Sequence, residues 1–130
     1  MHPLDGMLVV DFTWYLPGPF ASRELLRLGA RGVHVEPPQG DPMRPTAPAW
    51  HDAVNAGKES VVCDLKTEDG LALANRLCAR ADVILEGFRP GVIERLGVVV
   101  PETAVLCSIT SGCWLRTSLK GVPQDPRGKS

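Results

Sequence analysis

The stretch LVVDFTWYLPGPFASRELLRLGARGVHVE, residues 8–36, decides the fold that the sequence predicts. It opens with a β-branched apolar run, residues 8–12, typical of a buried strand. Pro17-Gly18-Pro19 then predicts a turn before a helix over residues 20–28, which Gly29 ends as a C-cap glycine. Residues 32–36 predict a second strand. The stretch is therefore expected to form a strand–helix–strand unit.

The same alternation continues along the chain. Further strands are predicted at residues 60–65, 82–86 and 104–110, with a long helix capped by Thr67 and a short helix over residues 90–96. Residues 39–56 are rich in proline and predict a surface loop without helix or strand. We therefore expect an α/β fold, an open, mainly parallel Rossmann-like sheet with flanking helices, with ligands at the carboxyl ends of the strands.

Composition excludes several classes of protein. The 130 residues include 14 Lys and Arg against 15 Asp and Glu, a formal charge of -1, which argues against binding to nucleic acid or to an anionic membrane. Neither a signal peptide nor an apolar run of membrane-spanning length is present, so a cytoplasmic protein is predicted. The four cysteines lack Cys-x-x-Cys spacing, and Cys63, Cys78 and Cys107 are predicted to be small buried apolar side chains.

The chain is expected to contain one folded domain, residues 1–110. Residues 111–130 hold Trp114, four basic residues and few apolar side chains, and they predict an irregular tail. Either a disordered or divergent segment or an out-of-frame reading would explain this change of character.

A series of short motifs, in order and at consistent spacing, resembles CoA-transferase family III, which includes formyl-CoA and carnitine-type CoA-transferases and alpha-methylacyl-CoA racemases. The resemblance runs from about residue 3 to residue 110. The motifs that carry it are Pro3-Leu4-Asp5-Gly6, Pro17-Gly18-Pro19, Leu28-Gly29-Ala30, Val35-Glu36-Pro37, Gly40-Asp41-Pro42, Asn55-Ala56-Gly57-Lys58, Asp64-Leu65-Lys66-Thr67, Glu86-Gly87-Phe88-Arg89-Pro90-Gly91 and Arg95-Leu96-Gly97.

The resemblance implies that coenzyme A, as part of an acyl-CoA substrate, lies along the loops of this domain. The residues it assigns to CoA contacts are Tyr15, Leu16, Pro17, Lys66, Phe88, Arg95 and Leu96. The chemistry agrees, since the phosphates of CoA call for Lys or Arg and its adenine for a flat apolar partner. A solvated Lys66 or Arg95 without a ligand is the competing interpretation.

Three positions depart from the transferase pattern. Gly87 stands where transferases have Asn, although racemase-like members tolerate Gly, and Leu16 and Pro37 replace polar residues of the formyl-CoA subgroup. The resemblance therefore leaves the acyl group and the acceptor open.

The resemblance also implies a catalytic Asp that attacks the thioester, or an acid and a base flanking the α-carbon in racemases. In both cases the resemblance places the key Asp downstream of the fifth strand, so no catalytic residue is assigned among the residues up to 110. The chain is therefore expected to be an inactive N-terminal part. Gln124 stands where racemases place an acid/base His, and Asp125 is interpreted as a solvated tail residue. Members of the family form interlocked homodimers, which a chain without the long C-terminal segments is expected not to build.

Three functions follow from these observations. The first is CoA transfer between an acyl-CoA thioester and a carboxylic acid; the alternatives are a racemase-like activity and a non-catalytic CoA- or nucleotide-binding remnant. An NAD-binding domain is disfavoured because the first turn lacks the Gly-x-Gly-x-x-Gly fingerprint. No metal site is predicted, since His2, His34 and His51 have no partner at ligand spacing in the sequence.

Overall fold

The computed structural model describes residues 1–109, and the predicted tail with Gln124 and Asp125 lies outside them. The elements, in chain order, are β1 (Leu8–Asp11), α1 (Pro17–Arg27), β2 (Arg31–Glu36), α2 (Met43–Thr46), α3 (Pro48–Asn55), β3 (Glu59–Val62), α4 (Glu68–Arg80), β4 (Val83–Glu86), α5 (Val92–Arg95) and β5 (Val105–Ser108).

The five strands form one parallel sheet in the order β3-β2-β1-β4-β5. Val10 of β1 pairs with Val33 of β2 on one side and with Ile84 of β4 on the other. The predicted α/β fold with a parallel sheet is therefore confirmed. The strand order reverses between β1 and β4, which is where sheets of this type bind ligands, beyond the carboxyl ends of the strands.

The central strands are apolar because helices cover both of their faces. On one face Val10 and Ile84 pack with the buried Ala74 and Cys78 of α4. On the other face Val9 and Leu85 belong to a second buried cluster, against which residues of α1 pack. This two-sided burial fixes β1 and β4 and so positions the loops that follow them.

The predicted caps and turns explain how the chain changes direction. The Thr67 hydroxyl accepts a hydrogen bond of 3.1 Å from Gly70 N, so the predicted N-cap of α4 is confirmed. Helix α1 begins at Pro17 rather than at residue 20, with its prolines in the first turn, where a missing N–H costs no hydrogen bond.

The prediction that residues 39–56 form a loop without helix or strand is wrong, because this segment contains α2 and α3. Pro48 occupies the first turn of α3, where its fixed φ favours a helix start instead of breaking one. His51 and Val54, three residues apart, are the buried residues of α3. The prolines of residues 39–56 were therefore interpreted as a sign of irregular structure, although Pro48 in fact begins a helix.

The prediction that Cys63, Cys78 and Cys107 are buried is confirmed for the first two. Cys63 and Cys78 are buried, whereas Cys107 is half-buried. Burial raises the pKa of the Cys78 thiol to about 12 and also raises that of Cys63. Both side chains are therefore neutral packing groups.

No helix within residues 1–109 has both the length and the apolar character needed to cross a membrane.

Gly70→Ala is expected to destabilise the domain, against the usual stabilising effect of Ala in a helix. A Cβ at residue 70 would overlap the carbonyl oxygen of Asp64 and lie 2.7 Å from its backbone N and C atoms. We expect a loss on the order of 1–3 kcal/mol, as for other overpacked sites, measured by urea unfolding. Gly87→Ala is the control, because its Cβ would meet the nearest atom at 3.4 Å. Equal stability of the two variants would contradict the close approach.

Candidate functional site

An open cleft of about 460 Å³ lies at the carboxyl edge of the sheet. Residues that follow β1, β2, β3 and β4 all contribute to it. Its lining consists of Phe12, Trp14, Val35, Glu36, Pro37, Pro38, Gln39, Cys63, Asp64, Leu65, Lys66, Phe88 and Leu96. The cleft is thus where the strand order reverses, as the fold predicts for a ligand site.

Three of the seven residues predicted to contact CoA, Lys66, Phe88 and Leu96, line this cleft together. Tyr15 and Leu16 lie in the turn after β1 and Pro17 begins α1; all three are exposed, but they are not part of the lining. Arg95 is exposed on α5, where its Nε donates to the Gly91 carbonyl at 3.3 Å. The structure therefore brings together three predicted residues and leaves four outside the cleft.

The loop after β4 presents Phe88 to the cleft. The backbone N of Phe88 donates to a carboxylate oxygen of the buried Glu86 at 2.9 Å, which fixes the turn. The Phe88 ring lies 6.5 Å from the Phe12 ring, centroid to centroid, in a tilted arrangement. The Phe88 ring is therefore held in place, half-buried, with part of its surface facing the cleft.

The loop after β3 presents Lys66. Asp64 accepts a 3.0 Å hydrogen bond from Lys66 N through its side chain and a 2.9 Å bond from the Thr67 hydroxyl through its carbonyl, so the loop has a fixed shape. Within residues 1–109 the Lys66 ammonium makes no ion pair, as the charged pairs involve other residues. An unpaired cation at the rim of a cleft is suited to an anionic ligand.

The thiol of Cys63 also lines the cleft. It is buried, and that burial raises its pKa above the ordinary value, so the reactive thiolate is disfavoured.

The turn between β1 and α1 is strained. Tyr15 has a φ of 67°, in the left-handed region that bulky residues rarely adopt, and its side chain is 58% exposed. Trp14, the preceding residue, lines the cleft, and its buried indole N–H has no acceptor within the described part of the chain. A strained backbone and a buried N–H without an acceptor are more typical of a ligand-binding site than of a region that only packs.

A buried ion pair between Asp11 and Lys58 stabilises this turn from its buried side. Lys58 Nζ lies 3.1 Å from a carboxylate oxygen of Asp11, and it also donates to Pro19 O at 3.0 Å and to Asn55 Oδ1 at 2.9 Å. Burial lowers the pKa of the Lys58 ammonium, and the charge of Asp11 opposes that change. Ser22 also donates to Asp11. The pair therefore joins β1, α1 and α3.

A second polar cluster lies at the end of β2. Glu36 accepts hydrogen bonds from Arg44 Nε at 2.7 Å and from the Ser60 hydroxyl at 2.8 Å, and mainly the Arg44 bond lowers the pKa of Glu36 to about 2. His34 Nε2 lies 3.0 Å from a carboxylate oxygen of Asp41. The premise that the histidines lack carboxylate partners is therefore wrong, because folding of residues 39–56 brings Asp41 and His51 beside the strand.

A model of CoA-transferase family III matches residues 4–104. Acetyl-CoA:oxalate CoA-transferase of Acetobacter aceti is 45% identical over 109 residues, which cover 78% of this chain and 28% of that protein. Human alpha-methylacyl-CoA racemase is 42% identical over 93 residues, which cover 72% of this chain and 22% of that protein. The chain thus spans about a quarter of the length of these relatives.

The crystal structure of Rv3272 from Mycobacterium tuberculosis is similar in fold, with a TM-score of 0.80 and 38% identity. The similarity covers 85% of this chain and 34% of that one. In sequence, Rv3272 is described as a probable fatty acyl-CoA transferase, 43% identical over 105 residues that cover 74% of this chain and 27% of that protein.

Lys58→Met is expected to destabilise the domain by about 3–5 kcal/mol, because it leaves the Asp11 carboxylate buried without its cation. The measurement is urea unfolding at neutral pH. The control is Arg31→Met, which removes an ion pair of 2.6 Å to Glu59 in which both side chains are exposed, and which should leave the unfolding midpoint nearly unchanged. Adding Asp11→Asn to Lys58→Met should recover part of the loss. Similar midpoints for Lys58→Met and Arg31→Met would contradict the role of the buried pair.

Proposed function

The chain belongs to CoA-transferase family III, and on that basis we propose that residues 1–109 bind the CoA part of an acyl-CoA thioester in the cleft at the carboxyl edge of the sheet. The observation that carries the proposal is the presence of Lys66, Phe88 and Leu96 in one cleft. The whole reaction proposed is transfer of CoA between an acyl-CoA and a carboxylic acid, as the names of several relatives describe for those proteins.

The cleft offers the three kinds of contact that CoA requires. The free Lys66 ammonium is suited to a phosphate, and the Phe88 ring is suited to stacking against adenine. Apolar lining from Leu65 and Leu96 suits the pantetheine arm. The negative charge of Glu36 does not oppose this assignment, because Glu36 is paired with Arg44. The Asp64 carboxylate accepts a hydrogen bond from the backbone N of Lys66.

The remaining predicted contacts would extend the site beyond the cleft. Tyr15, Leu16 and Pro17 flank Trp14 on the exposed side of the β1–α1 turn, where strained backbone presents their side chains to solvent. Arg95 follows Phe88 by seven residues and carries an exposed guanidinium. We assign these four residues to the outer part of the ligand, where a second phosphate group would meet Arg95.

We further propose that the carboxylate that attacks the thioester is not among residues 1–109. A nucleophile must be accessible and unpaired at the reacting atom. Of the two carboxylates that line the cleft, Glu36 is paired with Arg44 and Asp64 accepts a hydrogen bond from Lys66 N. The buried carboxylates nearby are also engaged, namely Asp11 with Lys58, Asp41 with His34 and Glu86 with Phe88 N. These residues are therefore assigned to support of the fold and not to the bond-breaking step.

A racemase-like activity is the second candidate, favoured by the identity with human alpha-methylacyl-CoA racemase over 93 residues. Both activities need the same CoA site, so binding alone does not separate them. For the 130-residue chain in D₂O with a 2-methylacyl-CoA we expect neither α-carbon deuteration, the mark of a racemase, nor acid-dependent formation of a new thioester, the mark of a transferase. Either product would identify the activity and would contradict the proposed absence of the nucleophile.

Titration calorimetry of the 130-residue chain with CoA tests the binding proposal. We expect saturable binding that Lys66→Ala weakens about 10- to 100-fold, which corresponds to about 1.5–3 kcal/mol for a hydrogen bond to a charged group. Arg80→Ala is the matched control, because it removes an exposed cation at the opposite end of α4. Lack of CoA binding by folded protein, or equal affinities of the Lys66 and Arg80 variants, would refute the assignment, and preferential NAD binding would favour a dinucleotide site.

A further inference from the structure

Four buried side chains converge beside β2, and of these only Glu36 also lines the proposed CoA cleft. His34 and Glu36 lie on β2, Asp41 lies in the connection that follows, and His51 lies on α3. One ligand atom from each lies within 4.8 Å of the ligand atoms of the others. Imidazole nitrogens and carboxylate oxygens are the donors of many transition-metal sites.

The distances within this cluster suit a four-coordinate ion. His34 Nε2 lies 3.0 Å from Asp41 Oδ2 and 3.9 Å from Glu36 Oε1, and His51 Nε2 lies 3.8 and 3.9 Å from Glu36 Oε1 and Asp41 Oδ2. In a tetrahedral zinc site with bonds of about 2.0–2.2 Å, two ligand atoms are separated by roughly 3.3–3.6 Å. These four separations fall on both sides of that value, and every pair of ligand atoms in the cluster lies within 4.8 Å, so binding an ion requires the side chains to draw closer together.

His51 provides an independent sign that something is bound here. Its Nδ1 lies 3.2 Å from a carboxylate oxygen of Asp52, which can only accept, so Nδ1 carries a proton. The other nitrogen, Nε2, is buried and makes no hydrogen bond within the described residues. It points at two carboxylate oxygens at 3.8–3.9 Å, beyond hydrogen-bond distance. A carboxylate that orients a ligating histidine through its far nitrogen is the usual support of a metal site.

Charge points the same way. Glu36 is neutralised by Arg44. Among residues 1–109 no Lys or Arg lies within ion-pair distance of the buried Asp41 carboxylate, although the charges of Arg44 and Lys58 act on it from farther away. Its Oδ1 accepts a 2.8 Å hydrogen bond from Met43 N, which leaves Oδ2 directed at the two histidines. A buried carboxylate facing imidazole nitrogens is stabilised when a cation lies between them.

We propose that His34, Glu36, Asp41 and His51 bind one divalent transition-metal ion of the zinc class. The two imidazoles select against Mg²⁺ and Ca²⁺, which prefer all-oxygen sites. A small open cavity of about 160 Å³, lined by His34, His51 and Asp52 among others, gives access from solvent. The ion would join β2 to α3 and has no part in the proposed CoA contacts.

Co²⁺ is the probe, because its visible absorption reports coordination geometry. The 130-residue chain, stripped of metal with a chelator, should bind one equivalent of Co²⁺ with the intense absorption of a tetrahedral site, and Zn²⁺ should displace it. His51→Gln should abolish this signal. Asp52→Ala, a change at an exposed side chain, should weaken binding about 10- to 100-fold, as is typical when the partner of a ligating histidine is lost.

His2→Gln is the control, since His2 is exposed and distant from the cluster in sequence, and it should bind Co²⁺ as the parent does. Circular dichroism establishes that each variant is folded, and if His51→Gln is not, Asp52→Ala decides. Absence of stoichiometric Co²⁺ and Zn²⁺ binding, a thiolate charge-transfer band that places Co²⁺ on cysteine, or full affinity in Asp52→Ala would overturn the proposal. Because CoA binding is measured separately, failure of one site does not imply failure of the other.

Discussion

The buried ion pair between Asp11 and Lys58 is the constraint on which the geometry at the carboxyl edge depends. Asp11 ends the central strand β1, and Lys58 lies in the connection from α3 to β3, so the pair holds together segments that are 47 residues apart. Taking two charges out of water is costly, and the additional hydrogen bonds of Lys58 to Pro19 and Asn55 offset that cost. Loss of either partner would leave the other charge buried and uncompensated, so the pair favours one arrangement of β1, α1 and α3.

The β1–α1 turn has its shape because of this network. Thr13 and Ser22 both donate to the Asp11 carboxylate, which draws the start of α1 against the end of β1. Gly18 allows this approach, since a Cβ there would overlap the Thr13 side chain. With both ends of the turn fixed, the residues between them have few conformations left, and Tyr15 adopts a left-handed one. The exposed, strained part of the turn thus follows from buried electrostatics.

The sequence predicts the sheet well because its signals are local: β-branched runs, a Thr N-cap and glycine stops. The parallel pairing follows from the alternation of strands and helices, whereas the strand order is seen only in the structure. Lys66, Phe88 and Leu96 were predicted as CoA contacts only through family resemblance, since their proximity depends on the sheet. Residues 39–56 were mispredicted because proline is compatible with both loops and first helical turns. The His34–Asp41 contact was missed for the same reason, because neither spacing nor composition indicates where residues 39–56 pack.

Strand β2 connects the two regions of the molecule. Side chains alternate along a strand, so His34 and Glu36 share one face while Val35 packs on the other. Glu36 belongs to the polar cluster and also lines the cleft, directly before Pro37 and Pro38 in its wall. Anything that fixes the Glu36 carboxylate, whether Arg44, Ser60 or an ion held with His51, therefore also fixes that wall. The position of the cleft is set from both sides, by Asp11 at the end of β1 and by Glu36 at the end of β2.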